Sequence, residues 1–173
     1  IMKKLVNDRY GDTHHDYATS EYEAGLENET DAEWENCRGI GFSFGYNQVE
    51  DESVSLDGPA IARHLTDIVS RGGHFLLNVG PKADGTLPDV QVRALEGLAT
   101  WMDAGGRVVT SAGPSSRTVT APEGVWARVV HAQDGQDWLF VDEAEGSVEV
   151  SVDGSPVTVD VAAERPGPVP VAL

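Results

Sequence analysis

Hydrophobic positions in the first two thirds of the chain alternate between short extended runs and helical stripes. The runs at 5–7, 34–44 and 74–79 predict strands, and the last is apolar nearly throughout, which predicts a buried parallel strand. Residues 56–70 and 88–102 carry apolar side chains at helical spacing, and paired glycines follow each segment. Alternating strands and helices with glycine-rich strand exits are typical of a segment of a (β/α) barrel.

Between the first two predicted strands lies a long polar segment, residues 8–33, rich in acidic and aromatic side chains. The pattern predicts a loop here. Loops of this length inside a compact domain are usually functional, so we expect residues of a site in this segment.

The pattern changes after about residue 112. Short β-branched runs at 125–130, 137–141, 147–152 and 156–161 are separated by glycine and aspartate turns. Such spacing predicts a small antiparallel β-sandwich. We therefore place a domain boundary near Gly113-Pro114, with one domain over 1–112 and a sandwich domain over 113–173.

Composition narrows the range of partners. The 173 residues include 29 acidic and 12 basic side chains, for a net charge of −17, and 40% of the residues are hydrophobic. A globular chain this acidic repels nucleic acid and anionic membranes, so we expect no nucleic-acid or membrane partner. Cys37 is the only cysteine, which excludes an internal disulfide and a cysteine-based zinc cluster. The chain opens directly in an apolar strand, so we expect an upstream portion; the compartment, cytoplasmic or secreted, stays open.

Seven short segments carry a more specific signal, in a fixed order over residues 6–101. They are Asn7-Asp8-Arg9, Ser20-Glu21-Tyr22, Trp34-Glu35, Ser43-Phe44-Gly45-Tyr46-Asn47, the stretch from Gly72 to Pro81, Asp84-Gly85-Thr86 and Pro88. Together they resemble the C-terminal half of an α-L-fucosidase of glycoside hydrolase family 29. The resemblance implies an α/β fold: the C-terminal part of a (β/α)8 TIM-like barrel, followed by the small antiparallel β-sandwich.

The resemblance also implies a chemistry, that of a retaining exo-glycosidase that releases α-L-fucose from fucosylated glycans or glycosides. Such an enzyme needs a carboxylic acid that protonates the leaving oxygen and then activates water. The family's acid/base falls on Glu21, with Glu23 and Glu35 as alternatives. From the pattern alone, Glu21 is one of many acids on an acidic loop, and a solvated role would be more common.

Two further residues gain a role from the resemblance. Arg9 is expected to contact a sugar hydroxyl, although by itself a salt bridge to a nearby acid would be the commoner role. Phe44 is expected to form an apolar wall against the methyl group of fucose, although by itself core packing would be commoner, and we expect Trp34 to belong to the core.

The partner list follows from the same resemblance. The nucleophilic aspartate is expected upstream of residue 5, outside this chain, so the chain alone should be inactive. We expect as partners a fucosylated oligosaccharide or glycoside and the upstream half of the barrel. No metal or organic cofactor is implied.

Other interpretations remain open at this point. Residues 41–45 match G-x-S-x-G, so Ser43 with Asp84 and His131 could form a serine hydrolase triad, but no helix is predicted directly after the serine. His14-His15-Asp16 invites a metal interpretation, although neighbouring side chains on a strand point to opposite faces. A non-catalytic fragment is the third possibility, either structural or a carbohydrate-binding module with Trp126 and Trp138 as stacking platforms.

Overall fold

The structure, a computed structural model, describes residues 5–10, 14–22 and 33–173. Three strands form a parallel sheet in chain order: β1 (Ala18–Glu21), β2 (Trp34–Gly39) and β3 (Gly73–Asn78). Helix α1 (Gly58–Ser70) connects β2 to β3, and α2 (Asp89–Asp103) follows β3. The fold is therefore mixed α/β, as predicted, with strands and helices alternating along the first part of the chain.

The rest of the chain forms two antiparallel sheets. Their strands, in chain order, are β4 (Ala112–Pro114), β5 (Val119–Thr120), β6 (Trp126–Ala132), β7 (Asp137–Asp142), β8 (Gly146–Val152), β9 (Ser155–Val161) and β10 (Val169–Ala172). One sheet has the order β10-β7-β6-β4 and the other β5-β8-β9. A 3₁₀ helix (Gly106–Ser111) joins α2 to the first of these strands.

Strands β6 and β7 are buried on both faces, which explains their long apolar runs. One face contributes Val129 and Leu139 to a valine-rich core shared with β8 and β9. The opposite face contributes Val130 and Phe140 to a second core that includes Trp101 of α2. Because side chains alternate along a strand, consecutive apolar residues serve both cores.

Both helices begin at residues suited to a helix N-terminus. The side chain of Asp57 accepts a hydrogen bond from the Ala60 amide at 2.9 Å and so caps the first turn of α1. Pro88 lies at the N-cap of α2, and Asp89 places an acidic group in its first turn. The two helices pack over one face of the parallel sheet, where Ile40, Ile61 and Ala94 form a third apolar cluster. Among the described residues, no helix is both long and apolar enough to span a bilayer.

Three predictions about strands were wrong in detail. Strand β1 lies inside the segment predicted as a loop, because its sequence is polar and its pairing with β2 carries no hydrophobic alternation. Strand β2 ends at Gly39 rather than near residue 44, since the chain turns so tightly that a Cβ on Gly39 would lie 2.6 Å from the Ser43 carbonyl oxygen. Strand β3 is parallel, but Leu76 is 49% exposed, so one face is not buried within this chain.

Candidate active site

The candidate site lies at the carboxyl ends of the three parallel strands. Glu21 is the last residue of β1, Gly39 the last of β2 and Asn78 the last of β3. In parallel α/β sheets this edge collects functional side chains, because the connecting loops of all strands meet there. Alternation along the strands places Thr19, Glu21 and Cys37 on the face that points away from the helices, which we call the open face.

Arg9 and Glu21 form an ion pair at this edge. The guanidinium donates through Nη1 to Glu21 Oε1 and through Nε to Thr19 Oγ1 at 2.9 Å. The hydrogen bond to Glu21 raises the pKa of Arg9 above its ordinary value. The two side chains are 44% and 42% exposed, so both are accessible to a ligand. The structure thus brings together two of the residues that the sequence singled out.

A short 3₁₀ turn, Asp8–Tyr10, carries Arg9 to the sheet. Asp8 fastens this turn to β1, since its carboxylate accepts from Thr19 Oγ1 at 2.6 Å and from the Thr19 amide at 3.1 Å. The hydrogen bond from the Thr19 hydroxyl is the main reason that the pKa of Asp8 lies below its ordinary value. Asp8 belongs to the Asn-Asp-Arg segment noted in the sequence, whereas nothing in the sequence indicated a role for Thr19.

Phe44 lies on the loop that follows β2 and returns to the same edge. Its ring centroid is 5.2 Å from that of Tyr22, the residue next to Glu21, and it is 39% exposed. The Asn78 side chain donates to the Phe44 carbonyl, and the Tyr22 hydroxyl donates to the Phe42 carbonyl at 2.7 Å. Burial raises the pKa of Tyr22, so its hydroxyl keeps its proton and remains a donor. Three strand ends therefore hold the loop beside Glu21.

The structure describes one of the two alternative acids. Glu35 is the second residue of β2 and lies near the opposite, amino end of the strands. There it lines an open cleft of about 560 Å³, together with Leu5, Asp16, Tyr17, Glu33 and His74. Glu23 lies outside the described residues. Of the acids in question that the structure describes, Glu21 alone lies at the carboxyl edge.

The serine hydrolase triad is not assembled. Ser43 lies in a loop, with α1 beginning only at Gly58, and its hydroxyl accepts from Asn47 Nδ2 at 3.2 Å. Asp84 is engaged locally with Thr86 in a turn, at 2.7 Å from its hydroxyl. His131 is hydrogen-bonded through Nδ1 to Asp137, not Asp84, at 2.8 Å. Ser43 therefore lacks both the strand–turn–helix geometry that a serine nucleophile needs and a hydrogen-bonded histidine and aspartate.

The geometry also does not support the metal site at His14-His15-Asp16 or a sugar-stacking platform at Trp126 and Trp138. His14 Nε2 lies 3.4 Å from Asp16 Oδ1, and among the described residues no group of three or more histidine, cysteine or acidic side chains could hold a metal ion. Trp126 and Trp138 pack on the helix side of their sheet, where Arg63 and Arg128 lie over the Trp126 ring at 5.3 and 5.5 Å. The Trp126 ring is therefore already engaged by two arginines, and Trp138 is packed against the second core.

Trp34 belongs to the core, as predicted. It is buried, and its indole N–H donates to the Arg71 carbonyl at 3.2 Å. A Cβ on Gly73 of the neighbouring strand would lie 2.5 Å from the Trp34 ring, so a glycine is required beside it.

A carboxylate at the carboxyl end of a parallel α/β sheet, beside an arginine and an aromatic ring, is an arrangement suited to a glycoside hydrolase. The profile of the family described as Alpha-L-fucosidase matches residues 2–107. The chain therefore belongs to the α-L-fucosidase family, and the sequence-based assignment to that family is confirmed.

Individual relatives agree with this assignment. The chain is 35% identical to the α-L-fucosidase of Dictyostelium discoideum over 81 residues, which cover 47% of this chain and 18% of that protein. It is 30% identical to the tissue α-L-fucosidase of Homo sapiens over 115 residues, covering 64% of this chain and 25% of that protein. The chain thus spans about a fifth to a quarter of the curated relatives it matches.

Solved structures extend the similarity to the fold. The Thermotoga maritima α-fucosidase in complex with fucose superposes with a TM-score of 0.70 at 32% identity. The superposition covers 85% of this chain and 34% of that one. Because the superposed part is much longer than the match to the family profile over residues 2–107, it takes in part of the antiparallel sheets as well.

Proposed function

We propose that this chain supplies the acid/base half of a retaining α-L-fucosidase, with Glu21 as the acid/base. The observation that carries the proposal is the place of Glu21 at the carboxyl end of β1, in an ion pair with Arg9 and next to the Tyr22–Phe44 ring contact. The parallel sheet and its helices are proposed as the last part of the catalytic barrel, and the two antiparallel sheets as the sandwich, with the boundary near residue 113.

The proposed chemistry has two steps. In the first, Glu21 protonates the departing glycosidic oxygen while an aspartate outside this chain attacks the anomeric carbon and forms a fucosyl-enzyme. In the second, the Glu21 carboxylate takes a proton from water, which displaces the aspartate and releases fucose with its configuration retained. The two carboxyl groups should lie about 5–5.5 Å apart for this mechanism.

The Arg9–Glu21 pair leaves room for this chemistry. The guanidinium engages Oε1 of Glu21, so the other carboxylate oxygen is the one proposed to carry the proton to the leaving group. Arg9 has five N–H donors, so it can also donate to a sugar hydroxyl while it holds Glu21. Phe44 would then face the methyl group of fucose, the one apolar substituent that sets this sugar apart from its hydroxymethyl analogue.

The open face of the sheet supports an upstream partner. Leu76 and His74 are exposed on it, and β3 has no neighbour on its outer side among the described residues. Exposed apolar residues and unpaired strand edges are costly, so we propose that the upstream half of the barrel covers them. The substrate is proposed to be a fucosylated glycan or glycoside.

The test compares Glu21→Ala with Glu35→Gln in the complete enzyme, on a nitrophenyl α-L-fucoside and on a fucosylated disaccharide. Glu21→Ala should lower kcat/KM on the disaccharide by about 10²–10⁴-fold, and much less on the aryl fucoside, whose leaving group needs little protonation. Azide should restore turnover of the aryl substrate, because it attacks the fucosyl-enzyme without a general base. Glu35→Gln should leave both substrates close to wild type.

Three outcomes would count against the proposal. If Glu21→Ala cleaves both substrates at the wild-type rate, Glu21 is not the acid/base. If the loss falls on Glu35→Gln instead, the acid lies on β2. If the wild type releases no fucose from either substrate, the proposed activity itself is wrong.

A further inference from the structure

A chain of three polar side chains crosses the interface between the parallel sheet and helix α1. Asn36 of β2 is fully buried there, and its Nδ2 donates to Ser20 Oγ at 2.9 Å. On the other side, His64 Nε2 of α1 lies 3.1 Å from Asn36 Oδ1. We refer to these residues as the Ser20–Asn36–His64 chain. It ties β1, β2 and α1 together through side chains alone.

The protonation of this chain follows from its surroundings. Burial, with a smaller contribution from the nearby Arg38 charge, lowers the pKa of His64 to about 4, so the imidazole is neutral at physiological pH. Because Asn36 Oδ1 can only accept, the neutral ring carries its proton on Nε2 and donates it. The Asn36 amide in turn donates to Ser20. Every hydrogen bond in the chain has a donor and an acceptor.

Burying polar side chains such as these at a helix–sheet interface has a cost in free energy. The His64 ring lies 5.0 Å from the Phe75 ring, and Ile61 and Ile68 of the same helix are fully buried apolar residues. Burying an amide and an imidazole requires every polar atom to be matched, and an apolar residue of similar size would fill the space without that condition. Polar groups retained in this way give geometric specificity, because they are satisfied in one arrangement.

The arrangement that this chain specifies is the position of β1. That strand has four residues and one strand neighbour among the described residues, so few backbone bonds define its register. On the face of β1 that points towards the helices, Ser20 is held by a hydrogen bond from Asn36. On the open face, Thr19 is held by hydrogen bonds to Asp8 and from Arg9. Glu21 follows directly. Both faces of the strand are therefore held immediately before the proposed acid/base.

We propose that Asn36 is a positioning residue, which acts through Ser20 to hold the Glu21 carboxyl at the distance from the glycosidic oxygen that proton transfer requires. The proposal rests on the proposed function of Glu21. A displacement of about 1 Å at a reacting group can lower the rate by as much as 10²-fold. The loss of the single hydrogen bond between Asn36 and Ser20 should therefore have a measurable effect on the rate.

The primary test is Ser20→Ala in the complete enzyme. This substitution removes the acceptor for Asn36 but leaves the fully buried Asn36 and its contact with His64 in place, so it carries less risk of unfolding than a change at Asn36. On the fucosylated disaccharide, kcat/KM should fall about tenfold, and on the nitrophenyl fucoside it should stay within about twofold, because Glu21 remains present but misplaced. Ser20→Thr keeps a hydroxyl at the same atom and should restore the disaccharide rate.

Thr66→Val is the matched control. Thr66 is also fully buried and lies two residues from His64 on α1, but its hydroxyl donates within its own helix, to the Ala62 carbonyl at 2.8 Å. Its loss should lower stability without changing the ratio of the two substrate rates. The ratio is the readout, since a lower folded fraction reduces both rates equally.

Asn36→Leu provides a second variant, and it should shift the same ratio at least as far as Ser20→Ala, measured on the fraction that folds. The proposal is overturned if Ser20→Ala lowers both rates equally, if it behaves like Thr66→Val, or if Ser20→Thr fails to restore the ratio. If the wild type releases no fucose, the proposed function fails and this inference falls with it; a normal wild type with an unchanged ratio overturns the positioning role alone.

Discussion

Helices α1 and α2 meet through two glycines, and their substitution should have unequal effects. A Cβ on Gly58, the first residue of α1, would lie 2.5 Å from Gly97 Cα and 2.7 Å from Leu98 N. These are backbone atoms of α2, so no side chain can rotate out of the way and the helices would have to separate. Overpacking of this kind costs about 1–3 kcal/mol, and the rigid partner places Gly58→Ala near the upper end, at about 3 kcal/mol.

The reciprocal substitution is milder. A Cβ on Gly97 would lie 3.0 Å from Gly58 Cα and 3.4 Å from its nitrogen, so the helices need to shift by only a few tenths of an ångström. Gly97 is also in the interior of α2, where alanine is favoured over glycine by about 0.8–1 kcal/mol. The packing cost and the helix gain nearly cancel, so Gly97→Ala should change the free energy of unfolding by less than about 1 kcal/mol.

Equilibrium urea unfolding of the complete protein, followed by tryptophan fluorescence, measures both changes, since Trp101 on α2 is buried. Gly113→Ala is the control, because a Cβ there would meet nothing within 4 Å and its φ is not positive. The reasoning is refuted if Gly58→Ala and Gly113→Ala have the same midpoint. It is also refuted if Gly97→Ala is as damaging as Gly58→Ala, since the two substitutions differ only in the atoms that the new methyl group meets and in helix propensity.

Three further predictions address pH and the site. The pKa of His64 is about 4 in the folded protein against an ordinary 6.5, so the stability that neutral His64 contributes should be complete above pH 6.5 and be lost as the pH falls towards 4. The loss should be about 1–2 kcal/mol after allowance for partial exposure. His64→Gln should therefore weaken the pH dependence of the unfolding midpoint, measured at pH 7, 5.5 and 4.5. An equally steep pH dependence in the variant would contradict this. Phe44→Ala should narrow the preference for an α-L-fucoside over the matching α-L-galactoside about tenfold in kcat/KM, whereas an unchanged ratio would remove Phe44 from the methyl site. Arg9→Met should lower kcat/KM on fucosides about 10–100-fold, because a charged hydrogen-bond donor to the substrate is lost. It should change the free energy of unfolding by less than about 1 kcal/mol, because the ion pair with Glu21 is half exposed. A large loss of stability with normal activity would assign Arg9 a structural role.

The sequence by itself determined the elements whose signals are local. Helix α1 begins after its Asp57 cap and α2 after Pro88, within two residues of the predicted starts, because capping and apolar spacing act over one or two turns. Strands β6 to β9 were predicted from their β-branched runs and turn glycines. The motif order also determined the family, since several short segments in one fixed order rarely arise by chance.

What the tertiary structure decided depends on contacts between distant positions. Strand β1 has no apolar alternation, and it forms because β2 pairs with it and Asn36 and Asp8 hold its polar side chains. The strands β4, β5 and β10 are likewise too short to be detected without their partners. The surroundings of Trp126 were also decided by the fold: it lies in a strand of the antiparallel sheet, but its ring contacts Arg63 of α1 and Arg128 of its own strand.

The candidate site shows the same division. Arg9, Glu21 and Phe44 were each singled out from a motif, but 12 residues separate the first two, and only the meeting of strand ends brings their side chains together. Thr19 carries no signal in the sequence, and Ser20 was noted only as part of the Ser20-Glu21-Tyr22 segment, without a role of its own. A hydrogen bond between distant positions leaves no periodic trace along the chain, so the residue types were determined by the sequence, whereas their association was decided by the fold.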